Sequence, residues 1–183
     1  MAVVTSPARP DMPKQRIKLE IASIPAYTRE AHGVQVHYSF LPDGYSDLLV
    51  VTESMDEIMA DKLVSLVNTQ KYVRHRDIWD LQWLKQQGAK PDIDLVQKKI
   101  HDYRVEHYGD KARQMQERLP GIISGQSFNN EMTRFLPTET LERTIHNPKF
   151  ADFLSRELKN LLGSVVQTLE GPEPGSSEPE FTL

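Results

Sequence analysis

A lysine within the apolar face of a predicted helix places the strongest constraint on how this chain can fold. Ser54 followed by Glu57 is a capping box, so we expect a helix to begin there. At about 100° per residue, the helix gathers its apolar side chains on one face, and Lys62 falls within that face. The face consists of Met55, Ile58, Met59, Leu63 and Leu66. Because dehydrating an ammonium group costs free energy, Lys62 needs either a polar partner or a route to water.

The next predicted helix carries the opposite charge beside its own apolar face. Asp77 lies four residues before Leu81, and Asp80 lies four residues before Leu84. Both carboxylates therefore border the apolar surface. Arg76 precedes Asp80 by four residues, which allows an ion pair within the helix. Together the two helices predict a buried polar site between them.

Two purely structural explanations stay open beside this prediction. Lys62 can extend its ammonium group to water past Met59. Asp77 can simply favour the positive end of its helix. Spacing alone does not decide between these explanations and a functional site.

The same stretch resembles the C-terminal half of the AbiEii/AbiGii nucleotidyltransferase toxins of bacterial abortive-infection and toxin–antitoxin systems. The pattern is K-L-x-x-L, then a loop, then R-D-x-x-D-L, and it reads here as residues 62–66 and 76–81. Residues 57–61 and a predicted strand at residues 18–21 also fit. The resemblance extends from about Arg16 to Leu136 and is most specific between residues 53 and 84.

The resemblance implies transfer of a nucleotide from a nucleoside triphosphate, with Mg²⁺, onto RNA or protein. Lys62 would contact the nucleotide phosphates as a point charge. Asp80 and Asp77 would position Lys62 or the nucleotide, and Arg76 would orient the two carboxylates. Glu20 would match the third carboxylate of the family's metal site, since hard cations need converging carboxylate oxygens.

One part of the family pattern has no counterpart in this sequence. A Gly-Ser or Gly-Gly turn and an Asp-x-Asp pair should precede Glu20, but Asp11 is the only acidic residue in the first 19. We therefore expect a truncated or split toxin polypeptide that binds Mg²⁺ weakly when alone. Such a chain would pair with a missing N-terminal half or with itself, and an antitoxin is a further possible partner. The alternative is a non-catalytic helical binding module derived from such a toxin.

Three other polar motifs invite functional explanations. Asp92 and Asp94 imitate an Asp-x-Asp motif, but they stand where a helix should begin, so capping is the better explanation. His101 and His107 lie on different helix faces and lack metal-ligand spacing. A basic cluster could touch RNA phosphates or could simply be a solvated loop. The cluster consists of Lys71, Arg74, His75 and Arg76.

Composition sets wide bounds on the class of protein. A length of 183 residues suits one domain with a tail, and a net charge of −4 gives no general attraction for nucleic acid. There is no cysteine, so disulfides and thiolate chemistry are excluded. No signal peptide or membrane-spanning stretch is visible, so we expect a cytoplasmic protein.

The predicted fold class is α+β, with a remnant of a nucleotidyltransferase-like sheet of about three strands followed by a mainly helical domain. Strands are expected at residues 17–21, 34–40 and 48–52 from their alternating or short apolar runs. We expect disorder at residues 1–15 and 171–183, a partial nucleotidyltransferase-like region at 16–87, and a helical domain at 88–170.

Breakers and caps divide the helical region. Gly88 should stop the second motif helix, and Asp92 or Asp94 should start the next one. A helix at residues 111–119 should end near Pro120, and a short one should cover residues 128–136. Thr138 and Pro148 should open the last two.

Overall fold

The computed structural model describes residues 2–4, 15–17, 23–34, 47–69 and 72–171. Within these ranges it contains seven helices and four short strands. The helices are α1 (Met55–Val67), α2 (His75–Gln86), α3 (Ile93–Asp102), α4 (Tyr108–Ile123), α5 (Gln126–Phe135), α6 (Thr138–Arg143) and α7 (Pro148–Glu170). The strands are β1 (Ala2–Val4), β2 (Gln15–Ile17), β3 (Glu30–Gly33) and β4 (Leu49–Thr52). The predicted α+β class is confirmed.

The described strands form two separate antiparallel ribbons. β1 pairs with β2, placing Ala2 opposite Ile17, and β3 pairs with β4, placing Glu30 opposite Thr52. The amide of Val34 donates to the carbonyl of Leu48 at 3.0 Å and extends the second ribbon by one step.

The strand predictions met with different outcomes. The strand expected at residues 48–52 is confirmed as β4, one residue shorter. Residues 18–21 and 35–40 of the other two lie outside the described residues, but β3 precedes the position predicted for its strand. β1 lies within the segment expected to be disordered, where no alternating pattern signals it.

Helix boundaries follow the capping chemistry of the sequence. The Ser54 hydroxyl accepts from the Glu57 amide at 3.2 Å, and the Asp92 carboxylate accepts from the Leu95 amide at 3.1 Å. Gly88 follows α2 with a φ of 93°, the left-handed conformation that glycine adopts without a Cβ penalty. The hydrogen bond from the Leu95 amide confirms that Asp92 caps α3.

The predicted end of α4 is wrong. The helix runs through Pro120 to Ile123, because its apolar face continues beyond the proline. Leu119 and Ile123 are both buried on that face, and burial outweighs the one hydrogen bond that proline removes. The Ser124 hydroxyl donates to the carbonyl of Pro120 at 2.7 Å.

A single hydrophobic core joins the helices. α4 and α7 form the most extensive helix pair, and α1 packs against α2, α3 and α4. The predicted division at residue 87 falls within this core, since buried residues on both sides belong to one cluster.

The α4–α7 contact should dominate stability. Leu158 is 1% exposed near the middle of α7, so Leu158→Ala should lower the free energy of unfolding by about 2–5 kcal/mol. Asn160→Ala, on the exposed side of the same helix, should change it by less than about 0.5 kcal/mol. Urea denaturation followed by circular dichroism measures both. Equal effects of the two substitutions would contradict this packing.

Candidate functional site: a lysine shared by two aspartates

Lys62 on α1 reaches across to two carboxylates on α2. Its ammonium nitrogen lies 2.8 Å from Oδ1 of Asp77 and 2.7 Å from Oδ2 of Asp80. α1 and α2 pack against each other, and the three polar groups lie at the border of that contact. The predicted polar site between the helices is therefore present.

The two aspartates are held differently. Asp77 is 3% exposed, and its second oxygen accepts a hydrogen bond from the Ser65 hydroxyl, so both oxygens have partners. Asp80 is half-buried, and it contacts Lys62 through Oδ2. Asp77 is therefore the fixed member, whereas Asp80 lies nearer to solvent.

The structural explanations left open by the sequence both describe part of this arrangement. Asp77 does lie in the first turn of α2, where the helix dipole favours a negative charge. Lys62 does keep 29% of its side chain exposed. Its ammonium group is nevertheless bound by both aspartates and does not simply extend into water.

Lys62 carries a positive charge at neutral pH. Burial lowers the pKa of its ammonium group, but the hydrogen bonds to Asp77 and Asp80 outweigh burial, and the net pKa lies above the ordinary value. A raised lysine pKa means that the pair stabilises the fold below the unfolded-state pKa and is lost only in strong alkali. Lys62 is thus a cation, not a base, under physiological conditions.

Arg76, predicted to orient the two aspartates, contacts α5 in this structure. Its Nε donates to Oε1 of Glu131 at 2.8 Å, and its guanidinium lies 4.8 Å from the centre of the Phe135 ring. The possible ion pair with Asp80 does not form, because α5 offers Arg76 both a carboxylate and an aromatic face. Arg76 is instead a wall of the cleft above Lys62.

That cleft has a volume of about 590 Å³. Lys62, Asp77 and Asp80 line one part of it, and residues at the start of α2 and on α5 line the rest. These other residues are Val73, Arg74, His75, Arg76, Glu131 and Phe135. Three members of the predicted basic cluster thus lie in the cleft, whereas Lys71 falls outside the described residues. No side chain caps α2 at its Arg74 N-cap.

A second polar cluster, which sequence reasoning missed, lies on another face of α1. The side chain of Lys99 is fully buried, and its ammonium nitrogen contacts three carboxylates. The distances are 3.2 Å to Glu53, 2.8 Å to Glu57 and 3.0 Å to Asp61. We call these four residues the Lys99 cluster.

Glu57 ties the Lys99 cluster to the segment before β3. Its carboxylate accepts from the backbone amides of Tyr27 and Thr28 at 2.8 and 2.6 Å. The expected capping box is therefore only half formed, because the amide of Ser54 donates to the Thr28 hydroxyl and not to Glu57. Lys99 itself also donates to the carbonyl of Pro25 at 3.1 Å.

A spacing signal for this cluster was present in the sequence. Glu53, Glu57 and Asp61 recur every four residues, which places them in a row along α1. Lys99 follows Leu95 by four residues, so it falls within the apolar face of α3. The same test that singled out Lys62 would have found it.

The carboxylates of the Lys99 cluster also bear on metal binding. Oxygens of Glu53, Glu57 and Asp61 lie within 4.8 Å of one another, and among the described residues this is the group with metal-like spacing. The Lys99 ammonium contacts all three, so a protein cation already stands among these carboxylates. Glu20, the metal ligand implied by the resemblance, lies outside the described residues.

Comparison with known proteins identifies the class of this chain. The family of nucleotidyl transferase AbiEii toxins of type IV toxin–antitoxin systems matches residues 2–156. The match covers most of the 183 residues, so the chain belongs to the AbiEii nucleotidyltransferase toxin family. No curated protein and no solved structure matches it. In the part of the chain that the structure describes, no helix is long and apolar enough to cross a membrane.

The Lys99 cluster should set the acid stability of the fold. Burial raises the pKa of Glu57, but Lys99, Thr28 and Tyr27 outweigh it and lower the pKa from 4.5 to about 2. A depressed carboxyl pKa stabilises the fold above the unfolded value and loses that contribution as pH falls through the folded one. The free energy of unfolding should therefore decline between pH 4.5 and about 2. Urea denaturation across that range measures the decline.

Lys99→Met should produce a dependence of opposite sign at higher pH. It leaves three neighbouring carboxylates without a cation, which costs about 3–5 kcal/mol at neutral pH. Protonation then relieves their repulsion, so the variant should gain stability as pH falls from 7 toward 4.5. Lys90→Met, at an exposed lysine, should follow the wild type. Parallel curves for Lys99→Met and wild type would contradict the assigned role of Lys99.

Proposed function

We propose that the cleft above Lys62 binds the phosphates of a nucleoside triphosphate for nucleotide transfer. The observation that carries the proposal is a positively charged, partly exposed lysine held by two aspartates in a cleft of about 590 Å³. The lysine and both aspartates fall in the stretch that the family match covers. The reaction is attack of a hydroxyl group on the α-phosphate, with pyrophosphate leaving. The acceptor is RNA or a protein.

In this proposal Lys62 is the phosphate-binding residue and the aspartates are positioning residues. Asp77 is fixed by Ser65 and by its place in the first turn of α2, so it holds Lys62 at the floor of the cleft. Asp80 is less buried than Asp77, so water can solvate its carboxylate when a phosphate oxygen takes its place beside the ammonium group. Displacing Asp80 therefore costs less free energy than displacing Asp77 would. Since Lys62 stays protonated, it stabilises the charge that builds on the phosphate and does not remove a proton.

The basic residues at the start of α2 complete the charge of the cleft. Arg74 and His75 line it beside Lys62 and favour an anionic ligand. Arg76 is held by Glu131, so in this proposal it shapes the wall and does not contact the phosphate directly.

The family's chemistry also uses a divalent metal, which neutralises charge on the triphosphate when bound. Among the described residues no carboxylate set fits it, because Lys99 already occupies the group formed by Glu53, Glu57 and Asp61. Glu20 stays a proposed ligand on the resemblance alone, and no step of the proposed reaction is assigned to the metal.

Variants of Lys62 separate a nucleotide site from a purely structural ion pair. Lys62→Met should abolish binding of ATP, CTP, GTP and UTP in isothermal titration, with no transfer of labelled nucleotide to cellular RNA or protein. Its stability should fall by only about 1–3 kcal/mol, since Asp77 keeps the Ser65 hydroxyl as a partner. Asp80→Asn should weaken binding with a smaller change in stability.

Lys85→Met is the matched control. Lys85 lies on α2, the same helix as the two aspartates, but outside the cleft, where it forms an exposed ion pair with Glu157. It should leave nucleotide binding unchanged. If Lys62→Met unfolds the protein and a Lys62→Met/Asp80→Asn double variant restores it without affecting nucleotide binding, the pair is structural. The chain would then be the alternative, a non-catalytic helical binding module.

Membership of a type IV toxin–antitoxin family implies an antitoxin, and we propose in addition that the chain associates with a second copy of itself. β4 supports this, because Leu49 is 72% exposed and Val51 is 64% exposed on the same side of a two-stranded ribbon. Exposed apolar strands of this kind pair readily with another chain.

Sedimentation velocity tests the association. Over a range of protein concentrations the wild type should show a concentration-dependent dimer, and Leu49→Lys/Val51→Lys should sediment as a monomer. Trp83→Lys removes an apolar side chain that is 47% exposed on α2 and should leave the dimer intact. A wild type that stays monomeric at every concentration would exclude this interface.

A further inference from the structure

A second cavity, of about 290 Å³, lies on another face of α2. Three residues of α2, Trp79, Gln82 and Gln86, line one part of it, and residues of α6, Thr144 and Phe150 of α7 line the rest, with Arg143 among those of α6. We call this cavity the Trp79 pocket. Its volume stands at the lower end of the roughly 300–1,000 Å³ of small-ligand sites, so it suits a single ring system.

The Trp79 pocket contains a buried polar group without a partner. Gln82 is 6% exposed, and its Oε1 has no hydrogen-bond partner within the described part of the chain. Natural proteins rarely leave a buried carbonyl without a hydrogen bond. Because Gln82 lines the pocket, rotation of its side-chain amide would bring this oxygen to the cavity, where an N–H donor of a ligand could pair with it.

Aromatic side chains form the walls next to this amide. The rings of Trp79 and Phe150 have centroids 6.0 Å apart and are tilted by 46°. Both side chains are only half-buried. Such aromatic surfaces stack with planar heterocycles, nucleobases among them.

The charge around the pocket favours a phosphate-bearing ligand. Among the described residues, Arg143 is the charged side chain that lines the pocket, and no carboxylate does so. The Nε of Arg143 donates to the backbone carbonyl of Glu139 at 3.2 Å, which leaves its two terminal amino groups available to a ligand. Arg143 can therefore meet a phosphate next to a base held in the pocket.

We propose that the Trp79 pocket binds an adenine base. The side-chain amide of glutamine pairs in a bidentate manner with the N6 amino group and N7 of adenine, so a Gln82 amide rotated toward the pocket would gain the donor that its Oε1 lacks. The proposal deepens the proposed function and rests on it, because it assigns a base-binding site to the same nucleotide-transfer activity, on a face of α2 other than the one at the Lys62 cleft. The base belongs either to the nucleoside triphosphate or to a single-stranded RNA acceptor.

Tryptophan fluorescence tests the pocket without any transfer reaction. The chain has two tryptophans, so Trp83→Phe leaves Trp79 as the only tryptophan, and Trp79→Phe leaves Trp83 as the control. Adenosine should quench Trp79 saturably and Trp83 hardly at all. Inosine, which replaces the N6 amino group by a carbonyl, should bind about tenfold more weakly, in line with roughly 1–3 kcal/mol of base discrimination.

Gln82→Leu, in the Trp83→Phe background, separates recognition from stacking. It should remove the preference for adenosine over inosine, and its Tm should rise because no carbonyl is left unpaired. Unchanged discrimination in this variant, or no saturable quenching of Trp79, would overturn the proposal. Lys62→Met should leave adenosine quenching intact, so failure of the phosphate site does not hide the result.

Two further ligands identify the source of the base. If the base belongs to the triphosphate, Lys62→Met should lower the affinity for ATP measured by quenching of Trp79. The affinity for a short oligoadenylate should then stay unchanged. If it belongs to the acceptor, the oligoadenylate should bind more tightly than AMP. In that case Arg143→Gln should weaken the oligoadenylate severalfold while Arg118→Gln, at an exposed arginine of α4, should not. Equal affinity for adenosine and uridine in all variants would again exclude an adenine site.

Discussion

The fold depends on an ammonium group that has been taken out of water. The Lys99 side chain has no exposed surface, and its ammonium group contacts three carboxylates of α1 and the segment just before it. Removing such a group from water costs several kcal/mol, which only close ion pairs and further hydrogen bonds offset. Here the offset includes the backbone of residues 25–28, because Glu57 and Lys99 bind that segment directly. The strand ribbon that follows is thereby attached to the helices.

α1 connects this structural cluster to the candidate site. Asp61 and Lys62 are neighbours in sequence and lie about 100° apart around the helix, so one faces Lys99 and the other faces α2. α2 thus contributes the carboxylates that pair with Lys62, and α3 contributes the ammonium group that pairs with Asp61. The buried Lys99 network on the neighbouring face of α1 fixes the helix that carries Lys62, which is the rigidity that its proposed phosphate-binding role requires.

Local rules predicted some parts of the molecule and not others. The contact between Lys62 and the two aspartates followed from spacing, because both helices are adjacent in sequence and each places its charge beside an apolar face. Spacing marks Lys99 on the apolar face of α3, but it does not identify the carboxylates that bind it, because these lie 38 to 46 residues earlier and helical spacing does not say which helices will meet. Pro120 misled the prediction of α4, since tertiary burial of Leu119 and Ile123 outweighed a local breaker. The unpaired carbonyl of Gln82 has no sequence signal at all.

The geometry of the Lys99 cluster restricts how related sequences can diverge. Replacing the lysine alone leaves three negative charges together, and replacing Glu57 alone leaves backbone donors and a cation without their common acceptor. Each single change passes through an unfavourable intermediate, so the cost of one substitution depends on whether the others have already occurred. The four positions should therefore change together or stay together among homologues, and evolution along this family should cross that barrier only by paired replacements.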